Sequence, residues 1–145
     1  MKKTPEGWPR ISPSLFCDDA GAAIDFLCQA FGFEVRLKVE GEGGRIEHSE
    51  LVLGDGLVMV GSTTGGGPNT THRRSPRSAG GINTQSLCVY VDDADAHCAR
   101  ARAAGARIVA EPETRDYGAD YWTDRGYEAE DREGHRWWFV QRVRG

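Results

Sequence analysis

His48 and Glu50 stand two residues apart in a segment, Arg45 to Leu53, that reads as a β-strand. Side chains at i and i+2 of a strand share one face, so imidazole and carboxylate are neighbours. On a sheltered face such a pair is an acid/base couple, because the carboxylate orients the ring and favours its charged form. On a solvated face it is surface polarity and nothing more. The following turn decides which. Leu53-Gly54-Asp55-Gly56-Leu57 is a hairpin signal, and Asp-Gly favours a two-residue loop. Residue 59 then lies opposite residue 50 or 52, which sets His48, Glu50 and Met59 on a common face. A three-residue loop would turn the pair to the other side.

The remaining candidates are mostly aromatic. Trp137 and Trp138 point to opposite faces of one C-terminal strand, and Trp138 reads as a stacking wall for a flat ligand or as core. Tyr127 and Glu128 alternate on the strand before it, so one of the two shares the face of Trp138. Tyr117, Tyr121 and Trp122 fall in an irregular stretch, Glu111 to Arg125, expected to be a loop that folds over a neighbouring surface. His97 lies on the apolar stripe of a helix and reads as a satisfied helix–sheet residue. His135 reads as part of a turn. The short basic run His72-Arg73-Arg74-Ser75-Pro76-Arg77 reads as a solvated loop. Gly65-Gly66-Gly67 lacks the Lys and the strand–helix setting of a phosphate loop, and no dinucleotide fingerprint, nucleophile elbow or zinc-protease motif occurs.

The elements that must position these residues repeat. Ile11–Cys17 and Gln85–Val91 both read as strands, at an offset of 74 residues, and each is followed by an Asp-Asp pair and a helix. Ala20, Ala23, Ile24 and Leu27 form an i, i+3, i+4, i+7 stripe, and Ala94, His97, Cys98 and Ala101 repeat it. The aspartates suit N-caps, and Gly32 and Gly105 suit left-handed C-caps. Strand-like segments follow each helix: Phe33–Val39, Arg45–Leu53 and Leu57–Gly61, then Arg107–Ala110, Gly126–Asp131 and His135–Arg142. The chain is thus α+β, two tandem βαβββ modules. Module 1 spans 8-62 and module 2 spans 85-142, with a linker at 63-84 rich in Gly, Ser, Thr, Pro and Asn. The modules pair within one chain or between two.

Composition narrows the partners. A chain of 145 residues with a net charge of −4 and no long basic stripe is not built for nucleic acid. No apolar run approaches a membrane span or a leader segment, so a cytoplasmic protein is expected. The four cysteines, Cys17, Cys28, Cys88 and Cys98, form no C-x-x-C pair and are expected to be reduced, buried and apolar in role.

Trp8-Pro9-Arg10-Ile11-Ser12-Pro13, the Gly54-Asp55-Gly56 hairpin and Asp131-Arg132-Glu133-Gly134-His135-Arg136-Trp137 together resemble the vicinal oxygen chelate superfamily, which includes glyoxalase I, bleomycin-resistance proteins and extradiol dioxygenases. The resemblance implies paired curved sheets around a cavity and a homodimer. It also implies metal ligands on the first and last strand of each module. Carried over one at a time, those positions fall on Ser12, Met59, Ser86 and Trp138, and none is an ordinary divalent-metal ligand. No cofactor is therefore expected, unless a rearranged divalent-metal set exists near His48 and Glu50. The expected function is binding of an aromatic or cationic small molecule, with Ser12, Ser14, Met59, Ser86, Tyr117, Trp122, Tyr127 and Trp138 at the ligand. The alternative is a lyase- or dioxygenase-type enzyme using His48 and Glu50.

Overall fold

The computed structural model describes residues 1–65 and 67–145, so Gly66 of the triglycine run and of the linker lies outside the described residues. Among the described residues two α-helices and eight strands are laid out in the repeated order. The first set is β1 (Ser14–Cys17), α1 (Ala20–Phe26, continued as a wider turn over Leu27–Phe31), β2 (Glu34–Glu40), β3 (Ile46–Leu53) and β4 (Gly56–Ser62). The second is β5 (Leu87–Tyr90), α2 (Ala94–Ala103), β6 (Arg107–Asp116), β7 (Thr123–Glu130) and β8 (Arg136–Arg144). Each set makes one four-stranded sheet, in the orders β1-β4-β3-β2 and β5-β8-β7-β6. The first strand of each sheet runs parallel to the last, and the other pairings are antiparallel.

The caps form where the sequence puts them. Asp19 Oδ1 accepts from the Ala22 N–H at 3.1 Å, and Asp93 Oδ1 from the Ala96 N–H at 2.9 Å. Gly32 closes the first helix at φ 85°, a conformation that a Cβ would strain. Ala20, Ala23, Ile24 and Leu27 are buried, as are Ala94, Cys98 and Ala101. These stripes lie on the sheet faces carrying Leu15, Cys17, Leu51 and Val60 in module 1, and Tyr127, Ala129, Trp137 and Phe139 in module 2, and all of these but Ala94 belong to one continuous core. Phe31, fully buried, stitches the modules together: its ring lies 5.4 Å from Trp137 and 4.7 Å from Phe139. Both sheets therefore bury their helix side, and each leaves the opposite face open.

Three expectations are corrected. The stretch 111–125 is not a loop throughout. Glu113, Thr114, Arg115 and Asp116 pair with Gly126, Arg125, Asp124 and Thr123, extending β6 and β7 into a long hairpin whose turn is only 117–122. On the β6 arm Glu113, Thr114, Arg115 and Asp116 are all polar and exposed, so no apolar alternation marks that strand. The N-terminal strand begins at Ser14 and not at Ile11, which is exposed. Cys88 is exposed on β5, while Cys17 and Cys98 are buried and Cys28 is half-buried; all four thiols are free.

Candidate functional site

The β3–β4 turn has two residues, Gly54 and Asp55, since Leu53 pairs with Gly56. That register places Met59 opposite Glu50. Ser49, Leu51, Val58 and Val60 turn into the core, so His48, Glu50 and Met59 occupy the open face of the first sheet. Ser14 lies beside Met59 on the same face. The carboxylate of Glu50 is held from two sides. His48 Nε2 lies 3.0 Å from its Oε1, and Arg36 Nε donates to its Oε2 at 2.7 Å. Arg36 also donates to the Gly7 carbonyl at 2.5 Å and stacks its guanidinium 4.8 Å from the Trp8 ring centre. The hydrogen bond from His48, followed by Arg36, holds the Glu50 carboxyl below its ordinary range. Arg36 escaped the sequence reading. It sits at a bulge, between the Val35–Leu51 and Leu37–Glu50 pairs, and an extra residue of this kind re-aims a side chain without a sequence signature.

The second sheet repeats this register. Glu128 pairs with Trp138 as Glu50 pairs with Met59, and Cys88 pairs with Trp138 as Ser14 pairs with Met59. Trp138 is half-buried on the open face, and a cavity of about 220 Å³ opens beside it. Its polar edge carries Glu111, Glu113, Asp124 and Glu128 against a single cation, Arg115, and Tyr117 completes the aromatic side. Three of the carboxylates are spent on neighbours: Glu111 on Arg102 at 2.6 Å, Glu113 on Arg115 at 3.4 Å, and Asp124 on Arg142 at 2.5 Å. Glu128, next to the indole, has neither a hydrogen bond nor an ion pair among the described residues. Gly126 makes room for the indole: a Cβ there would lie 3.0 Å from Trp138 Nε1 and 2.9 Å from the Phe139 carbonyl.

Other candidates lie elsewhere. Of the alternating pair on β7, Glu128 takes the open face, and Tyr127 is buried in the core with its hydroxyl on the helix side. The Tyr127 hydroxyl meets His97 Nδ1 at 2.7 Å, while His97 Nε2 meets the Phe31 carbonyl at 2.9 Å. A carbonyl only accepts, so Nε2 carries a proton, and in the neutral ring, which burial favours, Nδ1 accepts from the phenol. Burial lowers the His97 pKa and raises that of Tyr127. Trp122 stands outside the cavity, 4.9 Å from the Arg142 guanidinium, with Tyr117 and Tyr121 rings about it. Ser86 is exposed ahead of β5, and the Ser12 hydroxyl is buried with no partner among the described residues. Ser14 lines a separate cavity near the linker. His135 belongs to a turn built on Asp131, which accepts from the Glu133 and His135 N–H groups and from Trp137 Nε1.

The positions that the resemblance assigns to a metal, Ser12, Met59, Ser86 and Trp138, offer two hydroxyls, a thioether and an indole, a donor set that does not suit a divalent ion. Among the described residues no group of three or more His, Cys, Asp or Glu is placed to hold a metal. Nor does any described helix have the length and apolarity to cross a membrane.

Comparison with known proteins agrees with this architecture. An uncharacterised protein of Mycobacterium tuberculosis (strain H37Rv) is 34% identical over 139 residues, covering 94% of this chain and 76% of its own. The crystal structure of TioX from Micromonospora sp. ML1 superposes with a TM-score of 0.68 at 33% identity, over 92% of this chain and 95% of TioX. TnmS3, an antibiotic binding protein from Streptomyces sp. CB03234, shares the fold at a TM-score of 0.63 and 22% identity, over 91% of this chain and 93% of its own. The family model described as glyoxalase/bleomycin resistance protein/dioxygenase superfamily matches residues 10–139, and the chain belongs to that superfamily.

Proposed function

We propose that this protein binds a flat, cationic aromatic compound on the open face of its second sheet and sequesters it unchanged, without a resident metal ion. The observation that carries this reading is Glu128, a carboxylate with no partner among the described residues, in register with the half-buried indole of Trp138. A face that offers an aromatic wall and an unspent anion attracts a planar cation through stacking, ring quadrupole and charge together. TnmS3, an antibiotic binding protein of the same fold, supports this class of function.

A cavity of about 220 Å³ is smaller than the roughly 300–1,000 Å³ that encloses a drug-sized ligand. The site is therefore half of one, and the other half comes from a second copy. Val35, Leu37 and Val39 on β2, and Tyr90, Tyr117, Tyr121 and Trp122 around the second sheet, are exposed apolar side chains that a homodimer would cover.

The test uses proflavine, a planar monocation, titrated into the full-length protein by calorimetry. Saturable one-to-one binding per chain is expected. Trp138→Ala should weaken it by about 1–3 kcal/mol, the value of one stacked ring, and Glu128→Gln by about tenfold, with the circular-dichroism spectrum retained in both. Equal affinity in Trp138→Ala, or a preference for planar anions over proflavine at this face, would sink the reading. The Arg36–Glu50–His48 cluster supports an enzyme as the second reading, since it holds an ionised carboxylate against an imidazole. On that reading Glu50→Gln abolishes a turnover that Trp138→Ala leaves partly intact.

A further inference from the structure

A second cavity has the opposite chemistry. It holds about 440 Å³ and lies where the linker crosses from the open side of β1 to the start of β5 and β8. Its walls are apolar: Leu15, Phe16, Pro76, Ala79, Ile82 and Leu87. Its polar residues are cationic or neutral, among them Arg74, His72, Gln85 and Arg136, and no carboxylate lines it. That is unusual in a chain with more acidic than basic residues.

The cations are not equally available. Arg136 turns Nε to Glu130 at 2.9 Å. Arg73 stacks its guanidinium 4.8 Å from the Phe16 ring centre. Arg74 is exposed and bonds only to backbone carbonyls, those of Thr71 at 3.2 Å and Arg73 at 2.7 Å, with no ion pair among the described residues. Arg74 thus keeps its charge, and guanidinium edge, for an incoming oxyanion. The apolar part is also unspent. Ile82 is 68% exposed at the cavity, and His72 meets Phe16 edge-on with ring centres 6.4 Å apart, which holds that ring in place as a wall. Free phosphate or sulfate would waste the apolar walls, and a cation would meet Arg74 and Arg136.

We propose that this cavity is a binding site for an aryl carboxylate, with the ring against Phe16 and Ile82 and the carboxylate on Arg74. It is distinct from the Trp138 cavity: the two share no lining residue, and β8 gives Arg136 to one and Trp138 to the other.

The probe pair is 2-naphthoate and its uncharged amide, 2-naphthamide, titrated into the full-length protein and followed by calorimetry and by backbone amide shifts. The expected result is saturable naphthoate binding, with the amide weaker by about tenfold, as befits loss of a charge-assisted hydrogen bond. Arg74→Gln, a surface change that keeps the fold, should bring naphthoate down to the level of the amide. Ala79→Trp, which fills the cavity, should abolish binding of both. Shifts should cluster at 14–16 and 72–87, and saturating proflavine should not displace naphthoate. Equal affinity for acid and amide, indifference to Arg74→Gln, displacement by proflavine, or no binding at millimolar naphthoate would each overturn the proposal. None of these outcomes depends on whether proflavine binds at Trp138.

Discussion

The open faces of the two sheets start from one register and end with opposite electrostatics. Glu50 opposite Met59 and Glu128 opposite Trp138 occupy equivalent rungs of the ladder. In the first sheet the glutamate is answered on its own face by His48, two residues earlier, and by Arg36 from the neighbouring strand. In the second sheet the residue two before Glu128 is Gly126, and the strand alongside offers Ala110. Neither can neutralise a carboxylate. The same backbone therefore carries a closed ion cluster in one half and an unspent anion beside an indole in the other. Duplication supplies the frame, and three or four side chains decide which half has binding energy left to spend.

The turns that close the two sheets differ as much. The β3–β4 turn is two residues long, with Leu53 paired to Gly56. The β7–β8 turn is a hub. Buried Glu133 accepts from the Asp18 and Asp19 N–H groups at 3.0 and 2.9 Å and from the Ser75 hydroxyl at 2.6 Å, tying module 2 to the first helix entry and to the linker. Glu133→Ala would leave two backbone donors without their acceptor, while the Ser75 hydroxyl keeps only the residue-133 carbonyl at 2.9 Å, and the substitution is expected to lower the unfolding free energy by about 3 kcal/mol or more. Chemical denaturation checks this; a loss near that of an ordinary surface substitution would mean that the turns are equivalent after all. The next largest effect is expected at Gly126. An alanine Cβ would press on the Phe139 carbonyl and the Trp138 indole nitrogen. Overpacking of this kind typically costs about 1–3 kcal/mol. Gly126→Ala should therefore lower the melting temperature, alter the near-ultraviolet tryptophan signal and weaken proflavine binding. A variant with unchanged spectrum and affinity would show that the indole position does not depend on that glycine.

Much of the frame was legible in the residues. The Asp-Asp pairs, the apolar stripes and the glycine after each helix are local signals, and local hydrogen bonding decides them. The two-residue turn placed His48, Glu50 and Met59 on a common face because strand periodicity leaves no third choice. What stayed hidden was non-local. Arg36 reaches Glu50 through a bulge. The outer half of the β6–β7 hairpin has no apolar face to announce it. The choice between Tyr127 and Glu128 depended on which side α2 packs, and His97 settles it by bonding the phenol from the helix side.

The smallest expected effect sharpens the comparison of the two glutamates by way of pH. His48 and Arg36 hold the Glu50 carboxyl below its ordinary range in the folded protein, whereas in the unfolded chain it titrates near the ordinary value of about 4.3. A carboxyl with a lowered folded pKa stabilises the fold fully above the unfolded value. That contribution is lost as pH falls from there through the folded value, because the unfolded chain binds the proton first. The wild-type protein should therefore lose stability below about pH 4.3 more steeply than Glu50→Gln, which has no proton to bind. Arg36→Gln removes one of the two partners and should show part of the same flattening. The measurement is the difference in melting temperature between wild type and each variant from pH 7 down to the acid limit. Parallel curves for wild type and Glu50→Gln would mean that the cluster does not hold its charge in solution, and the contrast between a closed and an open glutamate would rest on Glu128 alone.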